Sequence, residues 1–300
     1  MRLDSRSEAM RFTYAEAMTN PHFYLPLARA AEQAGYDSMT VADSICYPRE
    51  SDSVYPYTAD GSRDFLEDKA FPEVLILAAA MGAVTSTLRF TTFVLKLPVR
   101  PPVLVAKQAS TVAHLTNNRL SLGVGVSPWR EDFEVMGVPF EGRGTRMNEA
   151  IDILRGLTGG DYFEYHGQVH ELPAVKLSPV PTRPIPILIG GHSDAALRRA
   201  ATRGDGWMHA GSETAELDRL LARLHRFREE ADTTDHRFEI HVISPEAYTV
   251  DGIKRLEDKG VTDVVVSFRN PYSAGPDMES LDTKIAHLQG YADSIIARLK

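Results

Sequence analysis

The chain has 300 residues, 43% of them hydrophobic, and a formal net charge of −8 at pH 7. That is enough apolar material for a large core, and the length suits one α/β barrel or two smaller domains. An acidic balance excludes a general nucleic-acid binder, since phosphates are neutralised by a basic surface, and no apolar run approaches the roughly 20 residues that span a bilayer.

Strand and helix signals alternate along the chain. Arg11–Ala17 (RFTYAEA) reads as a strand with Phe12, Tyr14 and Glu16 on one face. His22–Ala34 reads as a helix with Leu27, Ala31 and Ala34 as its apolar stripe and Gly35 as its stop. A second strand, Asp37–Asp43, runs into a long connection, Ser44–Ala70, which carries Tyr47, Tyr55 and Tyr57. A loop of that length in a compact domain is expected to be a lid that orders on ligand binding. Pro72–Val84 is helical and almost wholly apolar, which suits a subunit contact or burial under a loop. Strand Leu88–Leu95 precedes a helix that starts at Pro101 and Pro102 and ends near Leu115.

Arg119–Val126 is the fourth strand, and Gly144–Leu157 is a helix with Met147, Ile151 and Leu154 at helical spacing. Gly159–Arg183 alternates like a hairpin (YFEYHGQVHEL) and then turns proline-rich. Strand IPILIG (Ile185–Gly190) leads to a helix after Ser193. Gly206–Gly211 is a short strand, and Thr214–Glu230 a helix with Leu217, Leu221 and Leu224 on one stripe. Strand Phe238–Ser244, helix Val250–Gly260, strand Asp263–Phe268 and helix Met278–Leu299 complete the chain. Eight strands alternating with helices predict an α/β fold, a (β/α)8 TIM barrel formed by one domain over residues 1–300, with insertions after strand 2 and before strand 5. Its continuous apolar strands fit a covered parallel sheet, for which a doubly wound open sheet is the alternative.

In such a barrel the chemistry lies at the C-terminal ends of the strands. Those ends carry Glu16, Asp43, Lys96, Ser127, Trp129, the stretch Gly190-Gly191-His192-Ser193, and His209. Gly190 and Gly191 let backbone approach an anion, and Ser193 can cap a helix whose N-terminus favours negative charge. An ordinary capped strand-to-helix turn would carry the same letters. Glu16 is a candidate buried acid, or else a rim carboxylate paired with Lys or Arg. His209 is a candidate general acid or polar clamp. Asp43 suits a cofactor contact or a loop cap, and Lys96 an anion contact more than a Schiff base. Trp129 suits either a flat ring's neighbour or a core anchor. His241 lies within an apolar strand and is expected to be a satisfied core histidine. Cys46 is the only cysteine, and with no metal-binding or P-loop motif in the chain, no metal site is expected. MRLDSRSEAMRF has no apolar signal core, so a cytoplasmic protein acting on a small molecule, away from nucleic acid and membrane, is expected.

Three segments together resemble the luciferase-like monooxygenase superfamily, and within it the coenzyme F420-dependent oxidoreductases. They are LARAAEQAGYDSMTVADS (27–44), the stretch from SRDFLEDKAFPEV to NEAIDILRGL (62–157), and ILIGGHSDAALRRAATRGDGW (187–207). The resemblance implies a deazaflavin or FMN at the barrel mouth, its phosphate held by Gly190, Gly191, His192 and Ser193. It implies a bulge at Thr92, Phe93 and Val94, with a cis Phe93–Val94 peptide, behind the ring, and it matches Asp43 to an acidic residue of the site. It also implies a homodimer, and a flavin reductase as partner if FMN is used. Arg198, Arg199 and Arg203 could meet an acidic cofactor tail or form a solvated helix face. Two departures stand out: Ser44 occupies the place of a histidine, and Ser127-Pro128-Trp129 the neighbourhood of a glutamate, that serve sugar-phosphate oxidation in that branch. Glu16, His209 or a loop tyrosine would then deliver any proton.

Overall fold

The computed structural model describes residues 9–55, 58, 60–273 and 275–300; Tyr57 lies outside the described residues. Eight strands form the barrel: β1 (Arg11–Tyr14), β2 (Ser38–Val41), β3 (Arg89–Thr92), β4 (Leu120–Gly125), β5 (Ile187–Gly190), β6 (Gly206–Met208), β7 (Glu239–Val242) and β8 (Asp263–Val266). Every neighbouring pair is parallel, and β1 closes the ring by pairing with both β2 and β8, Phe12 lying opposite Val264. The predicted TIM barrel is therefore the observed one. The strands are shorter than their apolar runs, because pairing is confined to the barrel's waist while the run continues into the packed loops.

The helices are α1 (Tyr24–Gln33), α2 (Val74–Gly82), α3 (Pro102–Leu115), α4 (Arg143–Thr158), α5 (Asp194–Arg203), α6 (Thr214–Glu230), α7 (Val250–Asp258) and α8 (Leu281–Ser294). A short helix, Arg130–Val135, precedes α4 and was not anticipated. The closing helix is shorter than Met278–Leu299: the chain leaves helical geometry at Ile295 and resumes as a 3-10 turn, Ile296–Arg298, with both isoleucines buried. The expected hairpin is present as Phe163–His166 paired antiparallel with Glu171–Val175. It is fastened to α4 by the Glu149 carboxylate, which accepts the backbone N–H groups of Gln168 (2.6 Å), Val169 (3.1 Å) and His170 (2.8 Å).

Side chains on β1 alternate between two environments. Phe12 and Tyr14 point outward, to Tyr291 of α8 at 6.3 Å and to Tyr36 at 6.0 Å between ring centroids. Arg11 points inward, into an ionic floor at the N-terminal end of the barrel. There its Nε lies 2.8 Å from Asp263 Oδ1, and its Nη2 3.2 Å from Glu239 Oε2. Arg89 reaches Glu239 Oε1 at 3.4 Å and donates to Ser121 Oγ at 2.9 Å. His241 is 1% exposed, with Nε2 2.9 Å from Glu239 Oε2 and 3.3 Å from Asp263 Oδ2. It is a core histidine, as expected, but only half satisfied, since its buried Nδ1 has no hydrogen-bond partner among the described residues. Burial pushes the Glu239 carboxyl up, but the His241 hydrogen bond and the charges of Arg89 and Arg11 outweigh it and bring the pKa down to about 2. Glu239, His241 and Asp263 have the spacing of a metal trio, yet two guanidinium groups already supply the positive charge there.

Candidate active site

At the opposite end, β3 carries a bulge. Thr91 pairs with Ser121, but Leu95 pairs with Val124, so four steps on one strand match three on the other. The Phe93–Val94 peptide within it is cis. Thr92 is buried and donates from Oγ1 to the Gly123 carbonyl at 2.7 Å. Val94 rests against two bare backbones: a Cβ on Gly125 would lie 2.7 Å from a Val94 methyl, and one on Gly190 2.9 Å from the other. Thr92, Phe93 and Val94 thus form a shelf across the ends of β3, β4 and β5.

Beyond the shelf the chain turns at Gly191, whose φ of +122° a side chain rarely adopts. The Trp207 indole N–H donates to the Gly191 carbonyl at 2.9 Å. Ser193 caps α5 as its sequence suggested, its Oγ accepting the Ala196 N–H at 3.3 Å. The arginines of α5 are engaged along the helix surface. Arg198 pairs with Glu230 at 2.8 Å, Arg199 donates to Asn148 Oδ1 at 2.6 Å, and Arg203 lies 3.5 Å from Asp152.

His192 and His209 stack above this turn, centroids 4.8 Å apart and planes at 17°. Ala210 N–H donates to His192 Nε2 at 3.1 Å. His209 is fully buried; its Nδ1 lies 3.0 Å from the Ile243 carbonyl, which makes Nδ1 the protonated nitrogen, and Nε2 accepts from the Ser212 hydroxyl at 2.8 Å. Burial, then the neighbouring His192, lower its pKa from 6.5 to about 4. Burial and the His192 ring thus favour the neutral imidazole of His209 at physiological pH. An NMR titration of the imidazole should show no protonation between about pH 8 and 5; a midpoint near the ordinary histidine value would contradict this. Because the folded pKa is the lower one, His209 costs no stability above pH 6.5 and costs progressively more as pH falls toward 4.

On the other side of the mouth, both Asp43 oxygens are in use. Arg100 binds them with two 2.8 Å bonds, and the Lys96 N–H donates to Oδ2 at 2.9 Å. Asp43 thereby fastens the chain after the bulge to the end of β2. Lys96 turns its ammonium to Asp132 Oδ2 at 2.7 Å, and the same oxygen accepts the Ser127 hydroxyl at 2.6 Å. Ser127, with φ +58°, also accepts the Trp129 N–H. The long connection after β2 lies over these groups. Tyr55 stacks on Trp129 at 5.3 Å and 2°, Ser53 donates to Glu131 Oε2 at 2.8 Å, and Phe65 meets Tyr272 edge-on at 5.0 Å.

Glu16 stands apart from both groups. It shares the outward face of Phe12 and Tyr14, so it points toward α8 rather than over the mouth. Tyr14 OH donates to its Oε2 at 2.7 Å, Arg269 to Oε1 at 3.0 Å, and Lys284 of α8 lies 3.3 Å from Oε2. Of its two sequence readings, the paired carboxylate is the one the geometry presents. Asp132, Arg100, Arg269 and Lys284 were missed in the sequence. Only Asp132 left a usable signal there, as one of two acids in the first turn of the short helix.

Among the described residues no helix is long and apolar enough to cross a membrane. A model of the family described as luciferase-like monooxygenase matches residues 5–260. An uncharacterized protein of Mycobacterium tuberculosis (strain ATCC 25618 / H37Rv) is 63% identical over 97% of this chain and 100% of its own length. An F420-dependent glucose-6-phosphate dehydrogenase of Amycolatopsis mediterranei (strain U-32) is 27% identical, covering 79% of this chain and 68% of that protein. Among solved structures, an F420-dependent secondary alcohol dehydrogenase with an F420-acetone adduct superposes with a TM-score of 0.74 at 16% identity, covering 97% of this chain and 99% of that one. The FMN-bound oxygenating constituent of 3,6-diketocamphane monooxygenase from Pseudomonas putida superposes at 0.60 and 18% identity, covering 83% and 71%.

Proposed function

The chain belongs to the luciferase-like monooxygenase family, and on that premise we propose that it is an oxidoreductase holding the deazaflavin coenzyme F420 across the barrel mouth to exchange a hydride with a small organic substrate. The observation that carries this reading is the bulge of Thr92, Phe93 and Val94, seated closely on the side-chain-free backbones of Gly125 and Gly190, beside the positive-φ turn at Gly191 that leads into α5. That cradle fits a flat ring with a phosphate-bearing side arm. The ring would lie on Thr92, Phe93 and Val94. The phosphate would meet the backbone of Gly191, His192 and Ser193 at the start of α5. When bound, the cofactor supplies the hydride chemistry; the protein supplies orientation and a dry site. His209 contributes a neutral wall beside His192. Asp43 positions Arg100 and the chain around Lys96, and Ser127 positions Asp132. Glu16, already matched by Arg269 and Lys284, has no part in this reading as a proton donor.

An FMN-dependent monooxygenase served by a separate reductase is the second reading. What favours it is that Arg198, Arg199 and Arg203 are each already engaged, which removes the obvious cations for an acidic cofactor tail. Fluorescence titration of the protein with each cofactor decides between them. The deazaflavin is expected to bind at least about tenfold more tightly than FMN, a difference of about 1.4 kcal/mol. Equal or tighter FMN binding with oxygen-dependent turnover would transfer the assignment to the second reading. The proposal includes a homodimer, supported by Ile76 of α2 and Leu104 of the adjacent α3, which are 70% and 52% exposed on an otherwise apolar surface helix and its neighbour.

A further inference from the structure

The turn that leads into α5 is held from one side by β6. Trp207 is fully buried, and its strand pairs with β5 at Ile189 and with β7 at Ile240, so the indole has a fixed position. Its Nε1–H donates to the Gly191 carbonyl at 2.9 Å. Three residues on, the Ala210 N–H donates to His192 Nε2 at 3.1 Å. The Trp207 ring lies 6.2 Å from His192 and 5.6 Å from His209 between centroids. A buried indole N–H needs an acceptor, and a core role alone would be met by any carbonyl within reach. The carbonyl it takes belongs to the glycine at φ +122°.

That choice fixes a peptide plane which glycine by itself leaves free to turn. The Gly191–His192 peptide is trans, so its N–H points opposite to its carbonyl. With the oxygen held on Trp207, the N–H edge faces away from the indole. The chain then enters α5, where, among the described residues, no oxygen accepts the N–H groups of Ser193, Asp194 or Ala195. Turning the Gly191–His192 peptide over would put a carbonyl oxygen, with its partial negative charge, where the N–H edge now lies. An anion at this turn is attracted by successive N–H groups in the first state and repelled by the oxygen in the second.

We propose that Trp207 is a positioning residue for the cofactor's phosphate. Its indole N–H holds the Gly191–His192 peptide with the carbonyl inward and the N–H edge outward. It thereby sets how strongly the turn prefers a phosphate-bearing cofactor over the same ring without phosphate. The proposal rests on the phosphate placement at Gly191, His192 and Ser193 given above. It requires no contact between Trp207 and the cofactor. FMN and the deazaflavin both carry a phosphate on the side arm, so the effect holds for either.

The test is calorimetric titration of wild type and Trp207→Phe with each cofactor and its phosphate-free counterpart: FMN against riboflavin, and the deazaflavin coenzyme against its ribityl deazaflavin core. Phenylalanine keeps a buried ring and removes the donor. Wild type should bind the phosphate-bearing member at least about 30-fold more tightly, and Trp207→Phe should cut that preference about tenfold. Affinity for the phosphate-free member should stay within about threefold. A merely structural role would weaken both members alike, so an unchanged preference in folded Trp207→Phe would overturn the proposal. A second readout needs no change at Trp207. The chain has two tryptophans, and Trp129→Phe leaves the Trp207 indole N–H as the single such signal in a 15N NMR spectrum. A phosphate on the N–H edge polarises the peptide and strengthens its carbonyl as an acceptor, so that signal should move downfield with the phosphate-bearing member and much less with the other. Equal shifts with both would also overturn the proposal. No phosphate preference in wild type would instead remove the phosphate from this turn, and the role of Trp207 with it.

Discussion

Gly191→Val is expected to weaken binding of both FMN and the deazaflavin by about 100-fold or more, equivalent to roughly 3 kcal/mol. Two effects act together. The backbone at Gly191 has φ +122°, a region that a β-branched residue enters only with strain of about 1–3 kcal/mol. A Cβ there would also lie 3.0 Å from Ala196 Cβ, in the first turn of α5, and would push the helix N-terminus away from the turn it faces. The valine would further cover the backbone that an anion must reach. Gly260→Ala is the matching control. Gly260 has φ +83° with nothing near its missing Cβ, so that variant should lose about 1 kcal/mol of stability and no cofactor affinity. Thermal unfolding and fluorescence titration of both variants read the two effects separately. Wild-type affinity in a folded Gly191→Val protein would remove the phosphate from this turn.

The second large effect is on stability. Replacing Arg11 by Met should cost about 3–5 kcal/mol, because Glu239 and Asp263 would remain buried with one guanidinium fewer between them. The same floor makes the fold acid-sensitive. Glu239 titrates at about 2 in the folded chain against an ordinary 4.5, a difference worth about 3 kcal/mol. The folded value is the lower one, so this stability is fully present above pH 4.5 and is lost as pH falls toward 2. Urea unfolding measured from pH 7 downward should therefore decline in two stages, the first from His209 between pH 6.5 and 4 and the second from Glu239. Glu239→Gln should flatten only the second stage. A stability curve equally steep below pH 4.5 in that variant would place the acid-sensitive group elsewhere.

The periodicity of the chain was sufficient for the architecture. Parallel strands covered on both faces must be apolar nearly throughout, so runs such as IPILIG and DVVVSF mark themselves, and each is followed by a helix with its own stripe or cap. Ser193 as a cap and the glycines beside it were legible for a related reason: a turn into a helix requires particular residue types at particular offsets, and those offsets are local. The cis peptide at Phe93–Val94 became legible through resemblance rather than through any property of the two side chains.

What the sequence by itself determined, then, is every relation that spans a few residues: which segments are strands, which are helices, and that Phe12, Tyr14 and Glu16 share a face. Which way that face looks was decided only by closure of the barrel. Closing β1 between β2 and β8 turned Glu16 toward α8 and into the hands of Lys284, 268 residues away in the chain, and turned Arg11 and His241 inward onto Glu239 and Asp263. The same closure brought Lys96 to Asp132 and Asp43 to Arg100, so that residues that read as free functional groups became pairs. A side chain's direction along a strand has period two and is written locally. Whether it points to core, solvent or partner depends on which other strand lies beside it, and a charged group's partner is chosen by the distances that the assembled ring imposes.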